Sequence, residues 1–217
     1  RTDFMTGLAE RGIDHLEMAQ YLSADYEKFY SKTDHHYNLY GAYETYLRIM
    51  EYVNAHYRTA PVTEGLEITP VESSFLGSRN RKLFGLFQSD DRLYTYTLAD
   101  PVPFERYDNG NPVEATVFAA DRQNMYNYYM GGDVAETVIH TNRPELPDVL
   151  VVGDSFTNAL ETILYTSFDE MRSLDFRHYT EKSIYDYLKE YQPDVILYVR
   201  DDLSYIVTDG NGGLGLQ

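Results

Sequence analysis

A strand-turn-helix unit around residue 150 constrains the fold of this chain more than any other stretch. Residues 148–160 read D-V-L-V-V-G-D-S-F-T-N-A-L, in which an apolar run stops at Gly153 and a helical pattern begins after Ser155. A short, fully apolar run that leads at once into a helix is typical of a buried strand in a parallel sheet. Because ligands bind at the carboxyl edge of open α/β sheets, the unit places Ser155 where a ligand would bind.

Ser155 has two interpretations, as a nucleophile and as part of a helix cap. The first N–H groups of a helix and the positive end of its dipole stabilise negative charge. The N–H of Ser155 can therefore hold the oxyanion that its own hydroxyl creates. An Asp or Ser before a helix is, however, most often only an N-cap. The nucleophile hypothesis therefore depends on a base elsewhere in the chain.

The candidate base is His36, which lies in the one dense histidine cluster of the sequence, Asp34-His35-His36. Histidine is the natural general base near neutral pH, and a carboxylate fixes its tautomer and stabilises its cationic form. Asp34 and His36 are two residues apart in a loop that enters a helix, so their side chains can hydrogen-bond directly. We therefore predict that Asp34 orients His36.

Composition bounds the classes of function. The chain has 217 residues and is 43% hydrophobic, enough for one large α/β domain. Its formal net charge of −17 argues against binding to nucleic acid, and the absence of cysteine excludes disulfides and thiolate metal sites. No apolar run reaches the roughly 18 residues that a membrane span needs. The 22 tyrosines suit a sugar-binding surface, although a core position is the ordinary role of any one of them.

The remaining pattern predicts alternating strands and helices around a β-rich middle. Helices are predicted at 4–11, 18–26, 39–56 with Asn38 as N-cap, and 183–191. Strands are predicted at 13–16, 66–68, 83–87, 93–98, 116–119, 134–141, 149–152, 171–176 and 194–199. We expect a single domain over 1–217, with 59–140 as a β-rich insertion and 209–215 as a flexible tail. We also expect further residues, including any targeting segment, before Arg1.

Two arginines follow predicted strands and so share an edge with Ser155. Arg177 comes after the strand at 171–176, and Arg200 after the strand at 194–199. The carboxyl ends of parallel strands meet at one edge of a sheet, so these side chains are expected to converge. They would either orient a substrate or, more ordinarily, form ion pairs with Asp175 and Asp201.

Two motifs together resemble the DHHW family of bacterial proteins, which belongs with the alginate O-acetyltransferase-like branch of the SGNH hydrolase superfamily. They are T-D-H-H-Y-x-x-x-G-A-Y at 33–43 and V-V-G-D-S-F-x-N-A-L at 151–160. The resemblance covers most of the chain and is weakest across 59–125. It implies a three-layer α/β/α fold with a central, mostly parallel sheet and a circularly permuted motif order.

The resemblance also implies a reaction. Ser155 would be the nucleophile, His36 the base and Asp34 its orienter in acetyl transfer or acetyl-ester hydrolysis on an extracytoplasmic, cell-surface polysaccharide. No cofactor and no metal ion are implied. The partners would be an acetyl donor, a polysaccharide or glycan acceptor and proteins of the cell envelope. The net charge favours a neutral glycan unless the basic patch of Arg79, Arg81 and Lys82 overrides it.

The sequence departs from the family pattern at two places. Tyr37 stands where the family motif has Trp. The superfamily usually supplies an oxyanion-hole Asn after a later strand, whereas Arg200-Asp201-Asp202 follows that strand here. We expect Gly132 and Asn158 to serve instead. His35, Tyr37, Arg177 and Arg200 complete the predicted oxyanion and substrate-binding set.

Two other classes of function stay open. D-H-H is also a metal-binding signature of phosphoesterases, but those enzymes need further Asp or His motifs, and no D-x-D precedes it here. The second alternative is a catalytically weak or inactive glycan-binding or scaffold protein that keeps the fold. A chelator would abolish activity in the first class, and replacement of Ser155 would leave saccharide binding intact in the second.

Overall fold

The structure is a computed structural model that describes residues 2–200 and 207–216. Its helices are α1 (Thr2–Glu10), α2 (Ala19–Leu22), α3 (Tyr26–Phe29), α4 (Leu39–His56), α5 (Ser78–Lys82), α6 (Ser155–Leu164) and α7 (Ile184–Glu190). Its strands are β1 (Glu67–Ser74), β2 (Arg92–Thr97), β3 (Glu105–Asp108), β4 (Asn111–Val113), β5 (Glu136–His140), β6 (Val149–Gly153), β7 (Glu170–Leu174) and β8 (Val195–Val199). No helix in the described part of the chain has the length and apolar character needed to cross a bilayer.

The central sheet has six strands in the order β4-β3-β5-β7-β6-β8. The α/β class is confirmed, and β6 pairs in parallel with both β7 and β8. The other pairings, from β7 through β5 and β3 to β4, are antiparallel. Parallel neighbours need a crossover such as α6 or α7, which β3, β4 and β5 lack. The sheet is therefore mixed, and it is parallel at β7-β6-β8, where the site lies.

Helices cover both faces of the sheet around β6. Val149 and Val151 face the larger apolar cluster, which contains α4 and α6. Leu150 and Val152 face a second cluster that contains α7. Successive side chains of a strand point to opposite faces, so a strand covered on both faces must be apolar throughout. This arrangement makes the α/β/α layers and explains why residues 149–152 form an unbroken apolar run.

The long helix α4 begins and ends where the sequence predicts. The Asn38 side chain accepts hydrogen bonds from the N–H groups of Tyr40 at 2.9 Å and Gly41 at 3.2 Å, so it is the N-cap. Its amide also donates to the carbonyl of Lys28 at 2.8 Å. This one side chain therefore ties the end of α3 to the start of α4 and fixes the ends of the intervening loop, residues 30–38.

The region from 59 to 140 divides between two sheets. β1 and β2 form a separate antiparallel pair, whereas β3, β4 and β5 extend the central sheet. A tight turn at Asn109 and Gly110 joins β3 to β4. Its central residues Asn109 and Gly110 have φ of 51° and 74°, the conformation that a two-residue hairpin turn requires.

Several predictions of local structure are wrong. Residues 13–16 form no strand, 18–26 is broken into α2, a 3₁₀ turn and the start of α3, and 116–119 contributes only an isolated bridge from Phe118 to Tyr129. Residues 83–87 form tight turns after α5, because Phe84 and Gly85 adopt positive φ. Residues 209–215 are not a free tail, since Asn211 is buried and bonded to the sheet edge.

Candidate active site

In the turn between β6 and α6, Asp154 caps the helix, so the half-buried Ser155 does not have to. Asp154 is the N-cap, and its carboxylate accepts from the N–H of Phe156 at 3.1 Å. A Cβ on Gly153 would lie 2.2 Å from a Thr157 methyl carbon and 2.7 Å from the Val199 carbonyl, so this position excludes a side chain. Ser155 is then the first residue of α6, and its hydroxyl is not needed to cap the helix.

A closed loop between α3 and α4 carries the histidine cluster. An antiparallel bridge joins Tyr30 to Tyr37 across its base. Asp91 holds the loop from outside by accepting from both the N–H and the hydroxyl of Thr33, at 2.8 and 2.7 Å. Asp34 and His36 are therefore presented inward from a fixed backbone.

Asp34, His36 and Ser155 form a continuous chain of hydrogen bonds. Nδ1 of His36 lies 2.6 Å from Oδ1 of Asp34, and Nε2 of the same ring lies 2.8 Å from Oγ of Ser155. Asp34 is 1% exposed and His36 is 5% exposed. The fold thus brings together the three residues predicted as nucleophile, base and orienter, with His36 and Ser155 119 residues apart in sequence.

The environment of Asp34 keeps it ionised. Burial raises the pKa of the carboxyl, but hydrogen bonds from His36 and from the Ser78 N–H outweigh it and hold the pKa well below the usual range. The Ser78 N–H, at the start of α5, lies 2.5 Å from Oδ2. An ionised Asp34 only accepts, so Nδ1 of His36 carries the proton and Nε2 is left to accept from Ser155.

Aromatic rings fix the plane of the His36 imidazole. Tyr126 stacks on it with ring centroids 3.8 Å apart and an angle of 6° between planes. Phe156, the residue after Ser155, packs against it at 4.8 Å. Tyr126 was not among the residues predicted for the site, because nothing in its local sequence distinguishes it from the other tyrosines.

His35 and Tyr37 lie on opposite sides of the cluster. His35 is exposed, its Nδ1 lies 2.7 Å from the hydroxyl of Ser78, and its ring contacts His36 at 3.8 Å. Tyr37 is buried, and its hydroxyl donates to the carbonyl of Phe156. Burial and then the charge of Asp154 raise the pKa of Tyr37, so it stays a donor. His35 can therefore meet a ligand, whereas Tyr37 supports the first turn of α6 from beneath.

The two predicted oxyanion donors differ in availability. The N–H of Gly132 donates to the carbonyl of Tyr129 at 3.1 Å within a turn, so it is already used. Asn158 lies one turn after Ser155 on α6, and its amide donates to Asp133 at 3.0 Å. An amide has two hydrogens, and within the described residues only this one hydrogen bond of the Asn158 amide is found. Asn158 thus keeps a donor hydrogen available, whereas Gly132 does not.

The two predicted arginines are held by groups of the protein. Arg177 forms a two-pronged ion pair with Asp175, with contacts of 2.5–3.0 Å, and reaches Asp133 at 2.9 Å. Nη1 of Arg200 donates to the hydroxyl of Tyr198 at 2.6 Å. The ion-pair alternative therefore describes Arg177. The partner predicted for Arg200, Asp201, lies outside the described residues, as does Asp202.

Asn211 is a second residue that the sequence did not reveal. It is 2% exposed, and its amide nitrogen donates to the Gly153 carbonyl at 2.7 Å and to Asp175 at 2.9 Å. Its oxygen accepts from the N–H of Phe176 at 2.6 Å. One side chain thus joins the carboxyl ends of β6 and β7 directly behind the Ser155 turn. Its surroundings in the sequence, G-N-G-G, are typical of a linker and gave no signal.

Among residues 2–200 and 207–216, two groups of side chains lie close enough together to offer ligands to a metal ion, Asp34-His35-His36 and Asp133-Asp175-His178. In the first group, Asp34 and His36 already bond each other, and His36 also meets Ser155. In the second group, the guanidinium of Arg177 already neutralises both carboxylates. The described contacts therefore favour proton transfer over metal coordination at the first group.

Comparison with known proteins supports the fold and the family resemblance. No protein-family model and no curated protein matches the sequence. Among solved structures, PatB1 of Bacillus cereus has a TM-score of 0.74 and 25% identity over 88% of this chain and 70% of its own. PatB1 with a sulfonyl adduct has a TM-score of 0.71 and 23% identity over 88% of this chain and 69% of its own. A DHHW family protein from Eubacterium siraeum has a TM-score of 0.73 and 19% identity over 90% of this chain and 66% of its own.

The likeness to a DHHW family protein confirms the resemblance predicted from the motifs at 33–43 and 151–160. It also confirms the fold class that the resemblance implied. At these identities the comparison establishes a shared fold. The chemistry of this chain has to be argued from its own residues.

Proposed function

We propose that this chain catalyses acyl transfer, moving or removing acetyl groups on an extracytoplasmic polysaccharide, with Ser155 as nucleophile, His36 as general base and Asp34 as its orienter. The observation that carries the proposal is the continuous hydrogen-bond chain from Asp34 through His36 to Ser155 at the start of α6. The identity of the transferred group as acetyl, and of the acceptor as a polysaccharide, is inferred from the resemblance of the motifs to the DHHW family.

The first half-reaction forms an acyl-serine. Ser155 gives its hydroxyl proton to Nε2 of His36 as Oγ attacks the acetyl carbonyl carbon. Ionised Asp34 stabilises the imidazolium that results. The tetrahedral intermediate then collapses, its bond to the donor oxygen breaks, and that oxygen takes the proton from His36. The acetyl group remains on Oγ.

The second half-reaction returns the enzyme to its starting state. A hydroxyl of a sugar or of water gives its proton to His36 and attacks the acyl-serine. The bond from the acetyl carbon to Oγ breaks, and Ser155 takes the proton back. A sugar acceptor makes the enzyme a transferase, and water makes it an esterase.

We assign the oxyanion to two donors on α6. The N–H of Ser155 is among the first of the helix and has no intrahelical partner. The amide of Asn158 follows one turn later and is held in place by Asp133. The positive end of the helix dipole also stabilises the negative charge of an oxyanion held there. Asn158 thereby takes the place of the Asn that the superfamily usually supplies.

A test of this function uses p-nitrophenyl acetate with and without xylo-oligosaccharides. We expect release of nitrophenol by the wild type and mass gain on the sugar if the enzyme is a transferase. Ser155→Ala should lower the rate by at least about a thousandfold, whereas the matched variant Ser73→Ala should match the wild type. Equal rates for Ser155→Ala and the wild type would refute the proposal, and loss of activity with a chelator would favour the metal-dependent alternative.

A further inference from the structure

A basic and apolar surface begins directly after Ser78, whose N–H donates to Asp34. α5 carries three basic residues, Arg79, Arg81 and Lys82, all exposed. The next turns present Leu83, Phe84, Leu86 and Phe87, whose exposed fractions are 50, 94, 81 and 68%. Phe84 and Leu86 are the most exposed large hydrophobic side chains of the described chain. We refer to residues 79–87 as the basic-apolar loop.

The basic-apolar loop has a defined conformation. Asn80 is 3% exposed, its amide donates to the Phe87 carbonyl at 2.7 Å, and its oxygen accepts from the Phe87 N–H at 3.1 Å. Its backbone carbonyl accepts from Gly85 at 2.9 Å. Phe84 is held at φ 54°, which is unfavourable for a residue with a side chain. The fold thus maintains a conformation that projects these apolar side chains into solvent.

The charges of the loop are not neutralised locally. No described carboxylate lies within ion-pair distance of Arg79, Arg81 or Lys82 in residues 2–200 and 207–216. Arg81 makes one hydrogen bond, to the neutral carbonyl of Leu76 at 3.1 Å. The segment 78–88 contains no acidic residue, although the whole chain carries −17. An anionic partner would therefore be attracted here and repelled elsewhere.

The side chains of the loop favour hydrocarbon over sugar or a protein groove. Tyrosine outnumbers phenylalanine in this chain by 22 to 10, yet the large apolar side chains of the loop are all Phe or Leu, which offer a sugar no hydroxyl contact. The loop is also convex, because Phe84 is almost wholly exposed. A convex apolar tip flanked by unpaired cations is the arrangement by which proteins enter the headgroup region of a bilayer.

We propose that the basic-apolar loop docks the protein on an anionic lipid surface. Phe84, Leu86 and Phe87 enter the boundary between headgroups and acyl chains, and the three basic side chains bind the lipid phosphates. The N–H of Ser78 donates to Asp34, and that of Arg79 donates to the Thr33 carbonyl at 3.1 Å. Docking therefore holds the loop that carries Asp34 and His36 at the lipid surface.

The absence of tryptophan from the chain provides a direct probe of insertion. In a Phe84→Trp variant the new indole is the sole tryptophan, so its emission reports only the loop. We expect a blue shift with vesicles of phosphatidylcholine and phosphatidylglycerol, and none with phosphatidylcholine alone. The matched variant Tyr185→Trp, on the exposed face of α7, should show no shift with either vesicle.

Vesicle sedimentation tests the contribution of charge. Each cation near an anionic surface contributes about fivefold to binding, so Arg79→Gln, Arg81→Gln and Lys82→Gln together should weaken it roughly a hundredfold. Phe84→Ser with Leu86→Ser should also weaken binding, whereas the exposed control Arg11→Gln should not. Circular dichroism melts establish that each variant is folded, independently of any activity.

Three results would overturn the proposal. The wild type could fail to bind the anionic vesicles. The loop variants could bind them as tightly as the wild type does. The wild type could instead bind a polysaccharide but no vesicle, and the loop variants could lose that polysaccharide binding, which would assign the surface to glycan recognition. None of these results bears on the role of Ser155, which is argued from its hydrogen bond to His36 and not from the loop.

Discussion

Replacing Asn211 tests whether the C-terminal segment positions the nucleophile. Alanine at this site removes three hydrogen bonds, from its amide to Gly153 and Asp175 and from the Phe176 N–H to its oxygen. At about 1 kcal/mol each, their loss should lower the free energy of unfolding by about 3 kcal/mol. For a chain of this length that corresponds to a fall in Tm of roughly 6–12 °C.

The same change should slow the chemistry. The Gly153 carbonyl lies two residues before Ser155, so its release lets the nucleophile turn shift against His36. Misplacement of a reacting group by about 1 Å can cost on the order of a hundredfold in rate. We therefore expect a lower rate of Ser155 labelling by a sulfonyl fluoride at temperatures where the variant is still folded.

Denaturant unfolding and labelling kinetics measure the two effects separately. The control is Asn124→Ala, an exposed asparagine, whose effect should stay below about 0.5 kcal/mol. If Asn211→Ala unfolded with the free energy of the wild type and were labelled at the same rate, the positioning role would be wrong.

Four substitutions at three further residues test the site and the helix that carries Ser155. Glu161 is a buried carboxyl on α6 that accepts hydrogen bonds from the hydroxyls of Thr157 and Ser173. Burial raises its pKa, so wild-type stability should fall as pH rises through that pKa, and Glu161→Gln should raise the Tm at neutral pH; a lower Tm would contradict this. The pKa of Asp34 is lowered in the folded protein, so ionised Asp34 stabilises the fold at pH values above the pKa of the unfolded chain. That stabilisation is lost as the pH falls through the pKa of the folded protein. Asp34→Asn should abolish that pH dependence and slow acylation by about a thousandfold or more in stopped-flow assays, and unchanged acylation would exclude the orienting role. Tyr126→Phe keeps the ring on His36 and should label like the wild type, whereas Tyr126→Leu should label more slowly; equal rates for both would deny the ring a role.

Local signals predicted the elements that surround the site. Asn38 marks the start of α4 because its side chain satisfies two N–H groups of the first turn. The apolar run before Gly153 marks β6 because that strand is covered on both faces. Such features depend on a few adjacent residues, which is why they can be read from sequence.

Features that depend on particular side-chain contacts rather than on periodicity were missed or misread. Residues 83–87 are apolar like a strand, but Phe84 and Gly85 curl the backbone and Asn80 fixes the turn. Residues 209–215 are glycine-rich like a tail, but Asn211 finds its partners 35 to 58 residues earlier. The first outcome depends on a side-chain contact within seven residues that apolar periodicity does not reveal. The second depends on what the rest of the fold places near Asn211.

The candidate site shows the same division. The spacing of Asp34 and His36 predicted their hydrogen bond, and the strand-turn-helix unit predicted the position of Ser155. The ring of Tyr126 on His36 and the Ser78 N–H on Asp34 come from segments with no recognisable motif. The hydrogen-bonded residues Asp34, His36 and Ser155 could thus be proposed from sequence, whereas the groups that hold them could not.

The measurement that tests the central claim most directly is the intact mass of the folded protein after exposure to a sulfonyl fluoride, followed by peptide mapping. A serine hydroxyl activated by a base forms a sulfonyl ester with this reagent. We predict one adduct, located on Ser155, absent from Ser155→Ala and formed more slowly in His36→Ala. A folded wild type that stays unlabelled, or an adduct that persists in Ser155→Ala, would contradict an activated serine and favour a binding protein that keeps the fold.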